Sequence, residues 1–461
     1  MKSLFNVKFN WHLFTGAAVI IFFLFPGLSM YSYFAILITL HQFLLLFYSF
    51  NFIIPIRYLF GAFMSLQMLL GPALAYNGLD SFQHSRYTMQ IPEADYFTYV
   101  IPAVICFITG LHAWSNGLKG EFIDTEAIKS FVVEKKDLPY VFIGIGFVSS
   151  IIASFFSSEL SFVFYLLAGF KFIGAFMLIT GNLHLKIIPL IIVYGSIIFS
   201  SLGEGMFHDL LTWLIFLAAV LAIRYKPSVT VKALFTLGFI ILSVSIQLIK
   251  GDYREATWER GEKTGLNTLS KAYDQSQTDN AFFSAKSLAQ SNLRINQGFI
   301  ITHIMKTVPK IVPFAEGAEM NEILVAALLP RFLVPDKLTA GNRDIFMKYT
   351  NLTLGKNTSM GLSSIGDAYI NFGIAGGCLF MLLLGIFYSE ILKAFYKYGK
   401  RIPVLLLFSP LVFYYPIRPD CELQTTLGHL IKSCFLIIAI LVLWKKEFGF
   451  IKMNVWSKSM S

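Results

Sequence analysis

Arginine residues gather in one polar part of the chain, residues 250–368, and in the turns beside it. They are Arg254, Arg260, Arg294, Arg331, Arg343 and Arg418. A guanidinium group is permanently charged and its planar fork of donors matches phosphate oxygens, so such residues suit a diphosphate held at a membrane surface. Arg331 and Arg418 stand out because each lies beside proline at an apolar boundary, where a charge without a partner is costly. The predicted diphosphate ligands are Arg331, Arg418, Arg294 and Arg343, and the competing role of each is a salt bridge or a contact with lipid head groups.

Carboxylates in the same region are candidates for a general base that takes the proton of an attacking hydroxyl group. They are Glu204, Asp209, Glu316, Glu319, Glu322, Asp367, Asp420 and Glu422. We select Asp367 and Glu322 for this role, and pairing with arginine is the competing role for most of the set. Asp420 and Glu422 have the D-x-E spacing that could hold a divalent cation, but this spacing commonly occurs by coincidence, and no metal site is predicted. His303 lies on an apolar helix face, where a structural role is expected.

The stretch from Gly361 to Gly377, GLSSIGDAYINFGIAGG, leads from the polar segment into an apolar run. Its glycines permit tight turns and the close approach of helices, which are ordinary uses of glycine in membrane proteins. The remaining polar side chains of interest are Asp367 and Tyr369, which we place on the water side at the start of the apolar run. Tyr369 joins Asp367 and Glu322 as a predicted catalytic residue.

The composition predicts an all-α polytopic membrane protein. Hydrophobic residues make up 56% of the 461 residues and charged residues only 14%, with a mean hydropathy of +0.65. Apolar runs of about 20 residues recur along the chain, as in helical spans, whereas a transmembrane barrel would show alternating segments of about 10 residues. The four cysteines form no C-x-x-C pair, and the chain lacks a phosphate-binding glycine loop, an H-E-x-x-H pair and a G-x-S-x-G elbow. These absences argue against an ATP-driven pump, a protease or an esterase.

We expect about 12 transmembrane helices. They are predicted at residues 11–28, 31–50, 54–76, 96–115, 138–157, 160–181, 185–203, 206–224, 231–249, 369–392, 402–417 and 424–444. With a cytoplasmic N-terminus, the short outer loops hold only Arg86 and Arg418, which is the pattern of the positive-inside rule. The net charge of +10 is therefore a topology signal and calls for no nucleic acid partner.

The predicted topology divides the chain into four regions. Residues 1–249 hold the first nine spans, 250–368 form one large extracytoplasmic loop, 369–444 hold the last three spans, and 445–461 are a cytoplasmic tail. Both termini are then cytoplasmic.

Within the large loop, the apolar spacing predicts an amphipathic helix on the membrane surface from Ala281 to Val308, which Pro309 ends. The apolar run from Ile323 to Leu329 is too short to cross a membrane, so it should dip into the interface or pack over the helices. The inner loop 116–137 is expected to be a short solvated amphipathic element without visible chemistry.

The layout of about 12 spans, a large late outer loop and the motif G-D-x-Y-x-N-F-G-x-x-G resembles the bacterial O-antigen and exopolysaccharide repeat-unit polymerases of the Wzy type. The matching residues are Gly366, Asp367, Tyr369, Asn371, Phe372, Gly373 and Gly376. The family often has Glu where this chain has Asp367. Arg294, Arg331 and Arg418 are similar to the outer arginines of the family.

This resemblance implies a multi-pass enzyme of the bacterial plasma (inner) membrane, similar to the metal-independent glycosyltransferases of the C fold group. The enzyme would move a growing glycan from undecaprenyl diphosphate onto the non-reducing end of a new lipid-linked repeat at the outer leaflet. Its partners would be lipid-linked oligosaccharides, the membrane and a chain-length regulator protein. No cofactor is expected, and the first outer turn, PGLSMYS, lacks the acidic residues that metal-dependent relatives carry.

Two other functions remain open from the sequence. An O-antigen ligase performs the same chemistry on a lipid A core, but it usually has a histidine near the end of the large loop, and none follows His303 in that loop. A transporter or flippase of lipid-linked sugars would be expected to show repeated halves and charges at mid-membrane depth. No repeat is visible, and Lys171 and Lys432 are the only basic residues placed well inside spans.

Overall fold

The computed structural model describes residues 9–80, 87–113, 118, 121–156, 158–181, 187–279, 285–329, 331, 333–355 and 358–448. All of the regular secondary structure in these ranges is helical. The helices are α1 (Trp11–Leu24), α2 (Met30–Ser49), α3 (Ile56–Leu79), α4 (Glu93–His112), α5 (Thr125–Glu134), α6 (Leu138–Ile152), α7 (Ser158–Ala168), α8 (Phe170–Thr180), α9 (Ile187–Glu204), α10 (His208–Tyr225), α11 (Val229–Arg254), α12 (Leu266–Asp279), α13 (Ala285–Ile295), α14 (Gly298–Thr307), α15 (Ala318–Leu328), α16 (Arg343–Thr350), α17 (Ser363–Gly399), α18 (Pro403–Val412) and α19 (Leu423–Leu443).

Among the described residues, nine helices are long and apolar enough to cross a membrane. They are α2, α3, α4, α7 with α8, α9, α10, α11, α17 and α19, and they coincide with nine of the twelve predicted spans. The other three predictions fall on α1, α6 and α18. Helices α1 and α6 have 14 and 15 residues, which gives about 21–23 Å, less than the ~30 Å of a bilayer core.

Helices α4 and α17 cross so closely that glycine is required on both. A Cβ atom on Gly110 would lie 2.3 Å from the carbonyl oxygen of Leu382, and one on Gly385 would lie 2.3 Å from that of Phe107. Real Cβ contacts are essentially never that short, so both positions depend on the missing side chain. This crossing holds α17, the helix that carries Asp367, against the core.

A buried ion pair joins the start of α3 to the segment before α5. The Nε and Nη2 atoms of Arg57 donate to the two carboxylate oxygens of Glu121 at 2.8 and 2.7 Å, and Nη1 lies 2.5 Å from Nδ1 of His112. Arg57 is 0% exposed and Glu121 is 2% exposed. The amphipathic element predicted within residues 116–137 corresponds to α5, which buries Ile128 and Val132. The segment is less solvated than predicted, because Glu121 supplies a buried charge to the core.

The predicted surface helix from Ala281 to Val308 is two helices, α13 and α14, and residues 280–284 lie outside the described ranges. The break falls at Asn296, whose side chain oxygen accepts the backbone N–H of Gly298 at 2.9 Å. Helix α14 ends just before Pro309, as predicted. It does not lie on a surface, since most of its side chains are buried, from Phe299 to Ile304.

Helix α17 is broken at Gly373, where φ is 65° and ψ is −158°. This conformation is essentially restricted to glycine. The break frees the carbonyl oxygen of Ile370, which accepts the N–H of Ala315 at 2.9 Å. The short first part of α17 is thereby tied to the segment before α15.

Candidate functional site

A polar cleft lies where the first turns of α15, α17 and α19 meet helix α16. Its lining residues are Glu319, Ile323, Leu338, Asn342, Ile345, Phe346, Tyr349, Met360, Leu362, Asp367, Ile370, Asn371, Glu422 and Gln424. The cavity volume is about 30 Å³, and the whole depression, which includes its open mouth, spans about 450 Å³. Carboxylates, amides and aromatic rings thus share one small space.

Asp367 is buried at the base of this cleft, with 4% of its surface exposed. Its Oδ2 atom accepts the backbone N–H of Leu423 at 3.0 Å. Leu423 is the first residue of α19, so this N–H has no partner within its own helix, and a negative group is favoured there by the helix dipole. No hydrogen bond reaches the second oxygen, Oδ1, from the part of the chain that the structure describes.

Asn371, one turn after Asp367, has a comparable role toward α15. Its Oδ1 atom accepts the N–H of Met320 at 3.0 Å, and its Nδ2 donates to the carbonyl oxygen of Asp367 at 2.8 Å. Met320 lies in the first turn of α15, where backbone N–H groups also lack helical partners. The pair Asp367 and Asn371 therefore positions the starts of two other helices, which is a structural reason for this part of the motif.

Glu319 brings a second carboxylate to the cleft. Its Oε1 atom accepts the hydroxyl of Tyr349 at 2.7 Å and the ammonium group of Lys348 at 2.8 Å. This hydrogen bond raises the pKa of Lys348 above its usual range, so the lysine stays charged. The Glu319 side chain is only 15% exposed, whereas that of Lys348 is 50% exposed.

Glu422 is the third carboxylate, at the residue before α19. Its Oε1 atom accepts the N–H of Gly341 at 2.6 Å and the hydroxyl of Thr425 at 2.9 Å. Burial raises the pKa of Glu422 although both hydrogen bonds oppose that effect. Beside it, Gln424 donates to the carbonyl oxygen of Leu338 at 2.8 Å, so α19 holds the loop that precedes α16 against the cleft.

The other two predicted catalytic residues lie elsewhere. Tyr369 is buried, with its ring packed against Tyr99 and Phe314, and it does not line the cleft. Glu322 is exposed on α15, one turn beyond Glu319. In the sequence, Glu319 is only one carboxylate among several. The spacing of Glu319 from Glu322 shows that they are neighbours along α15, but it does not show which of them meets α16.

Arg418 forms salt bridges with carboxylates, which is the role that competes with diphosphate binding. Its Nη2 lies 3.4 Å from Asp420 and its Nη1 lies 3.7 Å from Asp209 on α10. The guanidinium also lies 5.2 Å from the ring centre of Tyr415, and the side chain is 13% exposed. This cluster is a second charged feature, separate from the residues that line the cleft.

The remaining predicted diphosphate ligands are not brought together. Arg343 is the first residue of α16 and is partly exposed, directly after the lining residue Asn342. Arg331 is partly exposed in the turn after α15. The backbone of Arg294 belongs to α13, and its side chain lies outside the described part of the structure. None of the four arginines is among the residues that line the cleft.

No metal centre is evident at the site. Within the described ranges, no three His, Cys, Asp or Glu side chains are placed to hold a metal ion. The cysteines Cys106, Cys378, Cys421 and Cys434 are free thiols. The side chains that line the cleft supply carboxylates, amides and a phenol.

The described residues thus form a helical protein with nine helices long and apolar enough to cross a membrane, and with a small acidic cleft where three helices begin. The chain belongs to the family of a domain of unknown function, DUF8712, which matches residues 50–411. The match includes α15, α16 and the whole of α17 but ends before Glu422 and α19. Comparisons with curated proteins and with solved structures gave no match.

Proposed function

We propose that this protein is a membrane glycosyltransferase that polymerises lipid-linked oligosaccharide repeat units. The observation that carries the proposal is the cleft itself: Asp367, Glu319 and Glu422 share it with amide side chains and Tyr349, at the end of an apolar helix bundle. Carboxylates, amides and aromatic rings are the groups that bind sugar hydroxyls and rings. Its place beside long apolar helices suits a substrate whose other part is a lipid.

The proposed reaction joins two lipid-linked glycans. A hydroxyl oxygen at the non-reducing end of the new repeat attacks the anomeric carbon of the growing glycan. The bond between that carbon and the diphosphate oxygen breaks, and undecaprenyl diphosphate leaves with the bonding electrons. The proton of the hydroxyl passes to a carboxylate, for which we assign Asp367 because its Oδ1 atom has no hydrogen-bond partner among the described residues.

The proposed roles of the other predicted residues follow from their positions. Arg343 directly follows the lining residue Asn342, and we assign it to the diphosphate. We assign the other three arginines to positions farther along the path of the leaving group: Arg331, Arg294 and Arg418. Tyr369 supports the first turns of α17 by packing. Because Glu322 is exposed, we assign the proton to Asp367 rather than to Glu322.

The proposal also includes a topology. The protein would lie in a bacterial plasma membrane with about 12 crossings, and α1, α6 and α18 would be short or tilted crossings. Both termini would be cytoplasmic, and residues 250–368 would face the outer side with the cleft. A chain-length regulator is a further partner in this scheme.

Complementation of a strain that lacks its own polymerase tests the function. Expression of the wild-type chain should restore a ladder of surface glycan lengths, and Asp367→Asn should leave single repeats, because Asn keeps an acceptor for Leu423 but cannot take a proton. The control is Glu390→Gln, which removes an exposed carboxylate from the later, predicted cytoplasmic part of α17 and should keep the ladder.

Three outcomes would contradict the polymerase function, and a fourth would contradict only the role of Asp367. If the wild-type chain is present in the membrane and restores no ladder, the polymerase function is wrong. Transfer of preformed glycan to a lipid A core without elongation would instead indicate a ligase, and movement of lipid-linked repeats without transfer would indicate a flippase. A full ladder from Asp367→Asn would remove Asp367 from the chemistry while leaving the function intact.

A further inference from the structure

We propose that the cleft binds a sugar without negative charge, either a neutral sugar or an amino sugar, and excludes uronic acids. This inference rests on the proposed function, in which the cleft receives the acceptor sugar. It names the class of that sugar, which neither the family nor the motif specifies.

The first argument is charge. Three carboxylates line the cleft, at Asp367, Glu319 and Glu422, and the cation within hydrogen-bonding distance of one of them is Lys348. Asp367 is 4% exposed, so water screens it poorly. With three carboxylates and one ammonium partner, the cleft has an excess of negative charge, which repels a carboxylate on the sugar and attracts an ammonium group.

The second argument is the supply of hydrogen-bond donors and acceptors. The amide of Asn371 donates to the carbonyl oxygen of Asp367, and the amide of Gln424 donates to that of Leu338. The Tyr349 hydroxyl donates to Glu319. These donors already have acceptors, and among the described lining side chains only Nδ2 of Asn342 has none. Each of the three carboxylates, in contrast, has one oxygen that accepts no hydrogen bond from the described residues.

A cleft that is rich in acceptors requires a ligand that is rich in donors. Sugar hydroxyl groups and the ammonium group of an amino sugar donate hydrogen bonds, while a carboxylate accepts only. A uronate in this cleft would bring an acceptor against Oδ1 of Asp367, which receives no hydrogen bond from the described residues. Charge and hydrogen bonding thus exclude the same class of sugar.

Binding to the purified full-length protein in lipid nanodiscs tests this inference. The probes are methyl β-glucoside, methyl 2-amino-2-deoxy-β-glucoside and methyl β-glucuronide, measured by saturation-transfer NMR with titration. The two sugars without negative charge should bind, the amino sugar more tightly, and the glucuronide should bind at least about tenfold more weakly than the glucoside. Equal or tighter binding of the glucuronide would overturn the inference, and so would the absence of binding by all three probes.

A pair of variants ties the selectivity to the cleft. Glu319→Gln keeps an acceptor for Tyr349 but removes one charge, so the advantage of the amino sugar over the glucuronide should fall severalfold. Glu126→Gln, the same change at a 79% exposed position on α5, should leave the ratio unchanged. An unchanged ratio in Glu319→Gln would place the selectivity outside the cleft and overturn the assignment.

The binding ratio and the glycan ladder can fail separately. Charge-selective binding without a ladder would refute the polymerase and retain a cleft for sugars without negative charge. A ladder combined with preferred binding of the glucuronide would retain the polymerase and refute the inference.

Discussion

The crossing of α4 and α17 yields a prediction whose size follows from distances. Alanine at Gly110 or Gly385 would place a Cβ atom 2.3 Å from a backbone carbonyl oxygen, and ordinary contact begins at 3.4 Å. The two helices must therefore separate by about 1 Å, and overpacking of this kind costs about 1–3 kcal/mol. The gain in helix propensity on replacing glycine by alanine is at most ~1 kcal/mol, so the net effect is a loss of stability.

The assay is the midpoint of thermal unfolding of the purified protein in detergent. Gly110→Ala and Gly385→Ala should each melt below the wild type, and the double variant should lose less than both single losses together, because one separation makes room for both methyl groups. Gly144→Ala on α6 is the matched control, since nothing lies within 4 Å of its Cβ position. If Gly110→Ala melts as high as Gly144→Ala, the crossing is not limited by contact and the reasoning is wrong.

Three further predictions concern buried charges and can be measured by the same melting assay. Asp367→Ala should lower the free energy of unfolding by about 1–3 kcal/mol because it leaves the first N–H of α19 without its acceptor, whereas Asp367→Asn should lower it less. Equal losses would contradict a stabilising role of this hydrogen bond. Arg57→Ala should cost about 3–5 kcal/mol by leaving a buried carboxylate unpaired, against at most ~1 kcal/mol for the exposed pair broken by Lys129→Ala. Burial raises the pKa of Glu422, so the folded protein keeps that proton to higher pH than the unfolded chain. The wild type should therefore lose stability relative to Glu422→Gln as the pH rises from about 4.5, the usual pKa of glutamate, through the raised pKa. A difference in melting midpoint between the two proteins that stays constant from pH 4 to 8 would refute this prediction.

Hydropathy predicted most of the membrane helices, because a long apolar run has few stable alternatives in lipid. It overestimated the lengths of α1 and α6, since α1 ends at Leu24, before Pro26, and the α-helical part of α6 ends at Ile152, where a short 3-10 helix from Ala153 to Phe155 follows. It also could not separate a helix on a surface from a buried one. Helix α14 has an amphipathic spacing, yet its polar residue Thr302 is buried as well, because it donates to the carbonyl oxygen of Phe299 and accepts the N–H of Gln90.

The candidate site was predictable only in part. Asp367 could be selected because a carboxylate beside glycines at the start of an apolar run is unusual. Its partner Leu423 lies 56 positions later, and the bond between Gly341 and Glu422 spans 81 positions, so periodicity carries no information about either. The choice between Glu319 and Glu322 depends on how α15 is rotated toward α16, which tertiary packing decides.

The bond between Asp367 and the start of α19 bears on how the protein is made. Synthesis proceeds from the N-terminus, so α15, α16 and α17 leave the ribosome before Glu422 and Leu423. Until α19 is in place, the cleft lacks one of its three carboxylates, and Asp367 lacks the N–H that its Oδ2 accepts. A chain that stops before residue 422 would contain almost every helix and no complete site, so the final helix determines when a newly made molecule becomes competent.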